Sequence, residues 1–361
     1  MSTARKTILV IGHPLSTNEN CGVFKTNQDV HYVLCAPKRW LVKSLGHTYV
    51  PANSRKDNFH TLPVIFSGRN SLFFWRGLSA FISSLRPSLI YCWEEPWCLS
   101  TLQVMRYASK QNIPFFFYSA ENKEKKLPLL FSFFRRLIFK KASGAISITP
   151  EVDLQLEWAG YQGPIHRIPL WVSQHNYTPG NETKKNLLYI GRLIKLKRVS
   201  LIIQALTELP EFHLKIIGDG PERNNLAQLS KELNISNRVH FAGKIPNYNL
   251  HTHISDMGLA VIPTEENQRQ AEQFGRAALE AVVMGLPVIT SHTGNYINLS
   301  QRIETFYSFS FKDSSSLAHA ITQLYQNYPH ANILEQSRKF VLEHFSTATV
   351  SKKFNQLFVS I

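Results

Sequence analysis

The first half of the chain alternates short, continuous apolar runs with segments of helical periodicity. The apolar runs occupy residues 7–12, 30–36, 88–93, 114–119 and 144–149. Between them, residues 97–111 and 127–142 repeat apolar positions at steps of three and four, which is typical of helices. Strands without polar alternation, separated by helices, indicate a parallel sheet covered on both faces. The pattern predicts a doubly wound α/β domain.

A second alternation follows the polar stretch 173–185, whose Pro-Gly-Asn at 179–181 is the clearest linker signal. Its predicted strands are residues 186–190, 212–217, 238–241, 258–262 and 287–290, and its predicted helices begin near residues 199, 221, 247 and 275. We therefore predict two Rossmann-like doubly wound domains, residues 1–172 and 173–340, facing a cleft. Residues 341–361 are expected to form a C-terminal helix that packs back on the first domain.

Length and charge narrow the class of protein. The 361 residues exceed what one hydrophobic core usually serves, which supports two domains. Lysine and arginine outnumber aspartate and glutamate 40 to 25, a net charge of +15. That excess indicates an anionic partner: a phosphorylated substrate, an acidic membrane surface or nucleic acid.

The cysteines and the length of the apolar runs indicate the cellular compartment of the protein. The four cysteines form neither a Cys-x-x-Cys pair nor a zinc-like pattern with histidine, so reduced thiols and no structural metal are expected. No apolar run approaches the roughly 20 residues that span a bilayer. We expect a cytoplasmic protein, or one resting peripherally on the cytoplasmic face of a membrane.

The most informative segment runs from residue 272 to residue 294. Glu272 precedes a Phe-Gly kink at Phe274 and Gly275, and Glu280 follows within a helical stretch. A helix beginning at the kink would present free N–H groups and a positive dipole end to a phosphate. The two carboxylates can accept hydrogen bonds from sugar or ribose hydroxyls. The segment indicates a pocket for a sugar nucleotide.

Strand-end turns upstream supply basic side chains and glycines. Gly191 ends a predicted strand and is followed by Arg192 and Lys197, which can direct a guanidinium and an ammonium group at a diphosphate. The turn at Gly218 lacks the dinucleotide fingerprint because residue 223 is Arg. The turn at Gly243 and Ile245 offers backbone groups to a base.

In order and spacing, these motifs resemble the GT-B fold glycosyltransferases of family 4, which are retaining enzymes that use nucleotide sugars. The resemblance covers roughly residues 186–294. It implies that residues 1–172 bind the acceptor and residues 173–340 bind the donor. It also implies catalytic roles for Glu272, Arg192 and Lys197, and donor binding by Gly191, Gly218, Gly243, Ile245, Phe274, Gly275 and Glu280.

The expected mechanism needs no cofactor and no metal. No Asp-x-Asp occurs in the chain, so the charge of the departing diphosphate would be met by Arg192, Lys197 and a helix N-terminus. The resemblance implies transfer of a hexosyl group with retention, the acceptor hydroxyl attacking from the face that the diphosphate leaves.

The first half departs from the family pattern, because the histidine that often follows the fourth strand is missing. Polar residues in its predicted strand-end loops are the candidates for acceptor binding, although ordinary loop polarity is an alternative. These candidates are His13, Glu94, Glu95, Glu121 and Asn122.

Residues 127–142 combine aromatic and basic side chains on one predicted helix. Helical periodicity places Leu130, Phe134, Leu137 and Ile138 on an arc that suits packing on the sheet. The opposite side carries Phe133, Phe139, Arg135, Arg136 and Lys140. Such a face is typical of contact with an anionic membrane, which would bring the enzyme to a lipid-linked acceptor. A domain interface or a partly covered core helix is the alternative.

The leading hypothesis is a glycosyltransferase that moves a sugar from a nucleoside diphosphate to a hydroxyl of a saccharide or lipid-linked acceptor in envelope polysaccharide or glycolipid synthesis. A GT-B-type nucleotide-sugar epimerase is the enzymatic alternative, and a scaffold with this fold but no activity is another. A basic nucleic-acid-binding protein is the alternative of a different class. No nucleic-acid-binding motif is recognisable in the sequence, so no nucleic-acid partner is expected.

Overall fold

The computed structural model describes residues 5–42, 47–51, 57–174, 176–267 and 270–361. The chain divides into two units, the first comprising Met1–Pro169 with Val350–Ile361 and the second Leu170–Thr349. The division falls at Pro169, whereas the boundary predicted from the sequence was residue 172. The C-terminal segment joins the first unit from residue 350, whereas residue 341 was expected.

A parallel sheet forms the centre of the first unit, in the order β11-β10-β9-β8-β1-β2-β5. The strands of this unit are β1 (Lys6–Ile11), β2 (Val30–Pro37), β3 (Trp40–Val42), β4 (His47–Tyr49), β5 (Phe59–Leu62), β6 (Val64–Ile65), β7 (Phe74–Trp75), β8 (Leu89–Cys92), β9 (Phe115–Ser119), β10 (Gly144–Ser147) and β11 (Ile165–Arg167). Its helices are α1 (Leu78–Leu85), α2 (Leu99–Lys110), α3 (Leu129–Lys141) and α4 (Pro150–Trp158).

The burial of β1 shows why its sequence lacks polar alternation. Leu9 and Val10 are consecutive and point to opposite faces of the sheet, yet both are fully buried. Helices therefore cover both faces, as the apolar runs predict. The five runs predicted as strands in this half correspond to β1, β2, β8, β9 and β10, so these predictions are confirmed.

The second unit contains a second parallel sheet, in the order β14-β13-β12-β15-β16-β17. Its strands are β12 (Asn186–Ile190), β13 (His213–Ile217), β14 (Val239–Gly243), β15 (Leu259–Ile262), β16 (Val288–Ser291) and β17 (Phe306–Phe309). Its helices are α5 (Val199–Ala205), α6 (Arg223–Glu232), α7 (Arg276–Val283), α8 (Asn295–Ser300), α9 (Ser314–Gln326) and α10 (Ala331–Phe345), and α11 (Thr347–Ser360) follows.

Two local predictions in this half are corrected. The helix expected near residue 247 is a 3₁₀ helix, Asn247–His253. The stretch 173–185, expected to be a linker, packs on the second unit: the Gly180 N–H donates to the Gly285 carbonyl at 3.0 Å, and a Cβ on Gly180 would meet the Tyr328 hydroxyl. Its glycine therefore serves close packing as well as a turn.

The last part of α11 completes the core of the first unit. Phe354 and Phe358 are buried, and the Phe354 ring lies 5.0 Å from that of Phe24. The Tyr32 hydroxyl donates a 2.7 Å hydrogen bond to the Asn355 side-chain oxygen. Because these contacts join residues more than 300 positions apart, the first unit requires the end of the chain to fill its core.

Candidate functional site

Three predicted site residues of the second unit are joined by hydrogen bonds. The Lys197 ammonium group donates to Glu272 Oε2 at 2.7 Å and to Thr264 Oγ1 at 3.1 Å. The other oxygen of the same carboxylate, Oε1, accepts from the Gly275 N–H at 3.1 Å. The basic turn after β12 and the beginning of α7 therefore meet at one carboxylate.

Backbone conformation explains the beginning of α7. Gly275 immediately precedes the helix with φ of 87°, in the left-handed region that glycine adopts without penalty. A Cβ at this position would also lie 2.7 Å from the ring of Tyr296. Glycine is therefore required both for the kink and for the packing of the aromatic ring beside it.

Opposing effects act on the Glu272 carboxyl. Burial raises its pKa, but the Lys197 charge and the hydrogen bonds from Lys197, Gly275 and Tyr296 outweigh burial and hold the pKa below its ordinary value. Burial raises the pKa of the Tyr296 phenol well above its usual range. At neutral pH, an ionised carboxylate is thus held between an ammonium group and a neutral phenol.

The hydrogen bonds of Thr264 with Lys197 and of Tyr296 with Glu272 were not predicted from the sequence. Thr264 follows β15 by two residues, a strand-end position where a polar side chain is a usable signal. Tyr296 lies in α8 and is almost fully buried. Nothing in its local sequence distinguishes it from a core tyrosine.

The turn before α8 lies directly against Glu272. The Asn295 N–H donates to the Glu272 carbonyl at 3.0 Å. A Cβ on Gly294 would lie only 2.1 Å from the same carbonyl oxygen, so glycine is required by close approach. The Asn295 side chain donates to the Phe274 carbonyl at 2.7 Å, which further fixes the kink.

Three of the predicted donor-binding glycines end neighbouring strands. The Gly191 N–H donates to the Ile217 carbonyl at 3.0 Å, and the Gly218 N–H donates to the Gly243 carbonyl at 2.8 Å. A Cβ on Gly218 would stand 1.8 Å from the Gly191 carbonyl oxygen. The turns after β12, β13 and β14 thus form one layer of partly buried backbone at the sheet edge, and partly buried Ile245 follows it.

Arg192 is separate from the Lys197 and Glu272 pair. Its side chain is exposed, and within the described part of the chain its guanidinium makes no hydrogen bond or ion pair. Its carbonyl accepts a 3.0 Å hydrogen bond from the Tyr189 hydroxyl, which anchors the turn. The structure brings together Lys197, Glu272 and Gly275, while the Arg192 guanidinium remains exposed.

Glu280 and Phe274 both occupy internal positions. Glu280 is 4% exposed, and its Oε1 accepts from the Asn247 side chain at 2.6 Å and from Arg276 Nε at 3.4 Å. The Phe274 ring is buried with its centroid 5.7 Å from that of Phe345. Phe274 can therefore offer a ligand only its backbone.

In the first unit, the structure pairs two of the predicted acceptor-side residues. Glu94 is buried, and its Oε1 accepts from the His13 backbone N–H at 2.6 Å. The same carboxylate lies 2.7 and 2.8 Å from His13 Nδ1. These two residues follow β1 and β8, which are neighbours in the sheet.

Glu95 has a different environment from Glu94. Its carboxyl group is half-buried and accepts from the Ser119 hydroxyl at 2.9 Å and the Ala120 N–H at 2.8 Å. Burial, with a smaller contribution from the Glu121 charge, raises its pKa from 4.5 to about 8. These contacts tie the β8 loop to the end of β9, so the structure gives Glu95 a structural role.

Glu121 lines a small hollow together with Trp97 and Arg135. Its carboxylate accepts from Lys125 Nζ at 2.8 Å, and that ammonium group lies 4.1 Å from the centroid of the Trp97 ring. Asn122 is half-buried beside it. Charged and aromatic groups therefore meet in a small hollow that does not include His13.

Helix α3 differs from its predicted faces at two positions. Leu130, expected to pack on the sheet, is 56% exposed. Phe139, expected on the basic side, stacks 5.7 Å from Phe117 and lies 5.0 Å from Tyr161. The exposed apolar side chains instead gather at the beginning of the helix, where Leu129 and Phe133 are 91% and 55% exposed. None of the described helices is long and apolar enough to cross a bilayer.

Comparison with solved structures defines the class of fold. HepE from Anabaena, solved with UDP and glucose, superposes with a TM-score of 0.73 at 16% identity, covering 99% of this chain and 100% of that one. The two Rossmann-like units therefore have the GT-B fold, which confirms the predicted fold class.

Residues 173–340 match the family model described as "Glycosyl transferases group 1". The chain is 29% identical over 185 residues to the N-acetyl-alpha-D-glucosaminyl L-malate synthase of Bacillus anthracis, covering 50% of this chain and 47% of the relative. It is 28% identical over 171 residues to the O-antigen biosynthesis glycosyltransferase WclY of Escherichia coli, covering 46% of this chain and 44% of the relative. These alignments span about half the length of each relative. The predicted GT-B glycosyltransferase resemblance is confirmed, and assignment to family 4 stays a prediction.

Proposed function

We propose that this protein is a retaining glycosyltransferase that moves a hexosyl group from a nucleoside diphosphate sugar to a hydroxyl of a saccharide or lipid-linked acceptor. The meeting of Lys197, the Glu272 carboxylate and the Gly275 kink carries the proposal. It concentrates an ammonium group and a helix N-terminus beside the layer of glycine turns, where a nucleotide can approach backbone groups closely.

Each group has a distinct task in this proposal. As the anomeric C–O bond to the diphosphate breaks, the electron pair leaves with the phosphate, and the Lys197 ammonium group and the N–H groups at the beginning of α7 stabilise its charge. Glu272 fixes the ammonium group and favours positive charge at the anomeric carbon. Exposed Arg192 adds a second cation for the diphosphate. The resemblance assigns the ribose hydroxyls to Glu280, whose carboxylate would have to exchange its hydrogen bond with Asn247 or Arg276 for one with the ribose.

The relatives support a role in assembling surface polysaccharide or glycolipid. WclY is named for O-antigen biosynthesis, and the HepE structure contains UDP and glucose. Uridine nucleotides are therefore the first donors to test. The family match and the WclY relative favour glycosyl transfer over the epimerase alternative.

A thermal-shift screen against UDP, GDP, ADP and their common sugars tests donor binding, since a ligand of the native state raises its apparent stability. Release of nucleoside diphosphate from the best donor then tests turnover. Failure of every nucleotide to shift the transition would contradict the proposal.

We also propose that the beginning of α3 contacts an anionic membrane. The exposed side chains of Leu129, Leu130 and Phe133 can enter the interface, while exposed Arg136 and Lys140 lie further along the same helix. This contact would bring the enzyme to a lipid-linked acceptor at the cytoplasmic face.

A further inference from the structure

The hollow that contains Glu121 lies between helices α3 and α4 of the first unit. Arg135 and Phe139 line it from α3, and Gln155 and Ala159 line it from α4. Each pair is spaced by four residues, so its two members share one face of their helix. Every residue that lines this α3–α4 hollow belongs to Met1–Pro169, so the first unit builds it alone.

The Arg135 guanidinium faces no counter-charge. Its side chain is half-buried, and within the described part of the chain it makes no hydrogen bond or ion pair. The Glu121 carboxylate in the same hollow is engaged instead by Lys125 at 2.8 Å. Burial, and then the charge of Arg136, lower the pKa of the Arg135 guanidinium. Because this group stays charged at every physiological pH, its partial removal from water costs free energy that no protein group offsets.

Trp97 brings a second hydrogen-bond donor to the α3–α4 hollow. Its indole Nε1–H is buried and has no acceptor among the residues that the structure describes. The Lys125 ammonium group lies 4.1 Å from the centroid of the indole, and the Phe131 ring meets it edge-on at 6.3 Å, which fixes its orientation. Buried donors in proteins are almost always paired. Two donors without acceptors in one hollow indicate an oxyanion ligand.

The carboxyl groups of the hollow do not oppose such a ligand. Burial raises the pKa of Glu95 to about 8, so near neutral pH this group is largely uncharged. Glu121 is neutralised by its ion pair with Lys125. Lys123 also lines the hollow and adds a cation. An entering anion therefore meets net positive charge.

The neighbouring surface favours a phosphoryl group as the anion. Leu127 lines the hollow, and the exposed side chains of Leu129, Leu130 and Phe133 follow it at the beginning of α3. A ligand in the hollow would thus lie beside the segment proposed to enter a membrane interface, where phosphate groups are abundant. The planar fork of a guanidinium such as that of Arg135 matches two phosphate oxygens at once.

We propose that the α3–α4 hollow binds a phosphoryl group, with the Arg135 guanidinium and the Trp97 indole N–H as its donors. The phosphoryl group belongs either to the head of a membrane lipid or to a small phosphorylated molecule. Its use in holding a lipid-linked acceptor rests on the proposed glycosyl transfer, whereas recognition of the anion does not.

The first experiment titrates the full-length protein, labelled with ¹⁵N-tryptophan, with inorganic phosphate near neutral pH. The Trp97 indole N–H resonance, assigned with Trp97→Phe, should shift and saturate, and acetate at equal ionic strength should produce no such shift. Arg135→Met keeps an unbranched side chain but lacks the guanidinium, and we expect its phosphate affinity to fall at least about tenfold. No phosphate-dependent shift in wild type, or an equal response to acetate, would overturn the proposal.

Arg106→Met is the matched control, because Arg106 is an exposed arginine of α2 in the same unit. It loses the same charge and should bind phosphate like wild type. Thermal unfolding separates ligand binding from a packing role. The Tm of Arg135→Met should equal or exceed that of wild type, since the variant no longer partly buries an unpaired charge. A lowered Tm with wild-type phosphate affinity would show that Arg135 serves packing and would overturn its assignment.

Sedimentation with vesicles distinguishes the two sources of the phosphoryl group. Vesicles containing phosphatidic acid present a phosphate monoester, and vesicles containing phosphatidylserine are matched to them in surface charge. If a lipid supplies the group, wild type should prefer phosphatidic acid, and Arg135→Met should lose that preference while still binding phosphatidylserine. Phosphate binding in solution without this preference assigns the hollow to a small phosphorylated molecule.

The same measurements keep this inference separate from the proposed function. The Trp97 resonance reports the α3–α4 hollow, so phosphate bound near Lys197 in the second unit does not enter the measurement. A protein that binds phosphate at Trp97 but binds no nucleotide would overturn the proposed glycosyl transfer and leave this site intact. A protein that transfers sugar but shows no response at Trp97 would overturn this site alone.

Discussion

Lys197 Nζ lies 2.7 Å from Glu272 Oε2, although the two residues are 75 positions apart in the sequence. Their side chains are only 18% and 14% exposed, so the pair is held away from bulk water. In such surroundings a charge left without its partner costs more free energy than at the surface. We therefore expect the Lys197 and Glu272 pair to contribute both to the stability of the second unit and to the proposed reaction of the donor.

Lys197→Met should remove the ammonium group while keeping an unbranched apolar side chain. We expect turnover of the donor sugar to fall at least about 100-fold, because transition-state charge on the diphosphate loses a partner. The free energy of unfolding should fall by roughly 1–3 kcal/mol, since Glu272 then lacks its buried cation. Steady-state kinetics and urea denaturation measure the two effects.

Lys195→Met is the matched control for that variant. Lys195 belongs to the same 3₁₀ turn but is exposed. If Lys195→Met lowers turnover of the donor sugar as much as Lys197→Met does, the loss reflects the reduced positive charge of the turn. The specific role proposed for Lys197 would then be wrong.

Gly218→Ala should destabilise the second unit strongly. The added Cβ would stand 1.8 Å from the Gly191 carbonyl oxygen, a backbone atom that cannot rotate away. We expect a loss of about 3 kcal/mol in the free energy of unfolding, together with weaker nucleotide binding. Gly22→Ala, whose Cβ would meet no atom within 4 Å, is the control and should change stability little. Equal stability of the two variants in denaturant titrations would contradict the close-approach argument.

Local sequence signals predicted the strand ends and their glycines because each depends on neighbours along the chain. Residues 186–190 are both the predicted and the observed limits of β12. The kink at Gly275 and the helix that begins after it were predictable for the same reason, since both depend on residues close together in the sequence. These features need no knowledge of which strands are adjacent.

The contacts that were missed depend on tertiary packing. Tyr296 reaches Glu272 from a helix whose sequence gives no sign of that partner. Helical periodicity correctly placed Phe134 and Ile138 in the core, but it could not show that the first turn of α3 exposes Leu130 or that Phe117 and Tyr161 cover Phe139. Periodicity defines a face of a helix, and the neighbouring elements decide how far that face is covered.

Removing metal ions should leave activity unchanged. The sequence lacks Asp-x-Asp, and the proposed charge partners of the diphosphate are Lys197, Arg192 and the beginning of α7. Donor turnover measured after dialysis against EDTA should therefore match untreated protein. Loss of activity that Mg²⁺ or Mn²⁺ restores would show that a cation supplies the charge stabilisation.

Membrane contact through α3 should depend on its exposed apolar side chains. Phe133→Ser, with or without Leu129→Ser, should lower sedimentation with vesicles that contain anionic phospholipid, because apolar burial and cationic attraction act together. Binding to neutral vesicles should be weak for all forms. Tyr248→Ser, which alters an exposed aromatic residue of the second unit, is the control and should bind like wild type. Unchanged binding of the α3 variants would contradict this docking surface.

Glu95→Gln should change how stability depends on pH. Because the folded-state pKa of Glu95 is raised from 4.5 to about 8, the folded protein binds more protons than the unfolded chain between these values. Its contribution to stability is therefore fully present below about pH 4.5 and is lost as pH rises to about 8.

Glutamine stays neutral and can keep the hydrogen bonds with Ser119 and Ala120. The Tm of Glu95→Gln relative to wild type should consequently rise across this window and level off above it. Because the nearby Glu121 and Lys125 are present in both proteins, their effects largely cancel in the difference. A Tm difference that stays constant from pH 5 to pH 8 would show that Glu95 is ionised in the folded protein throughout.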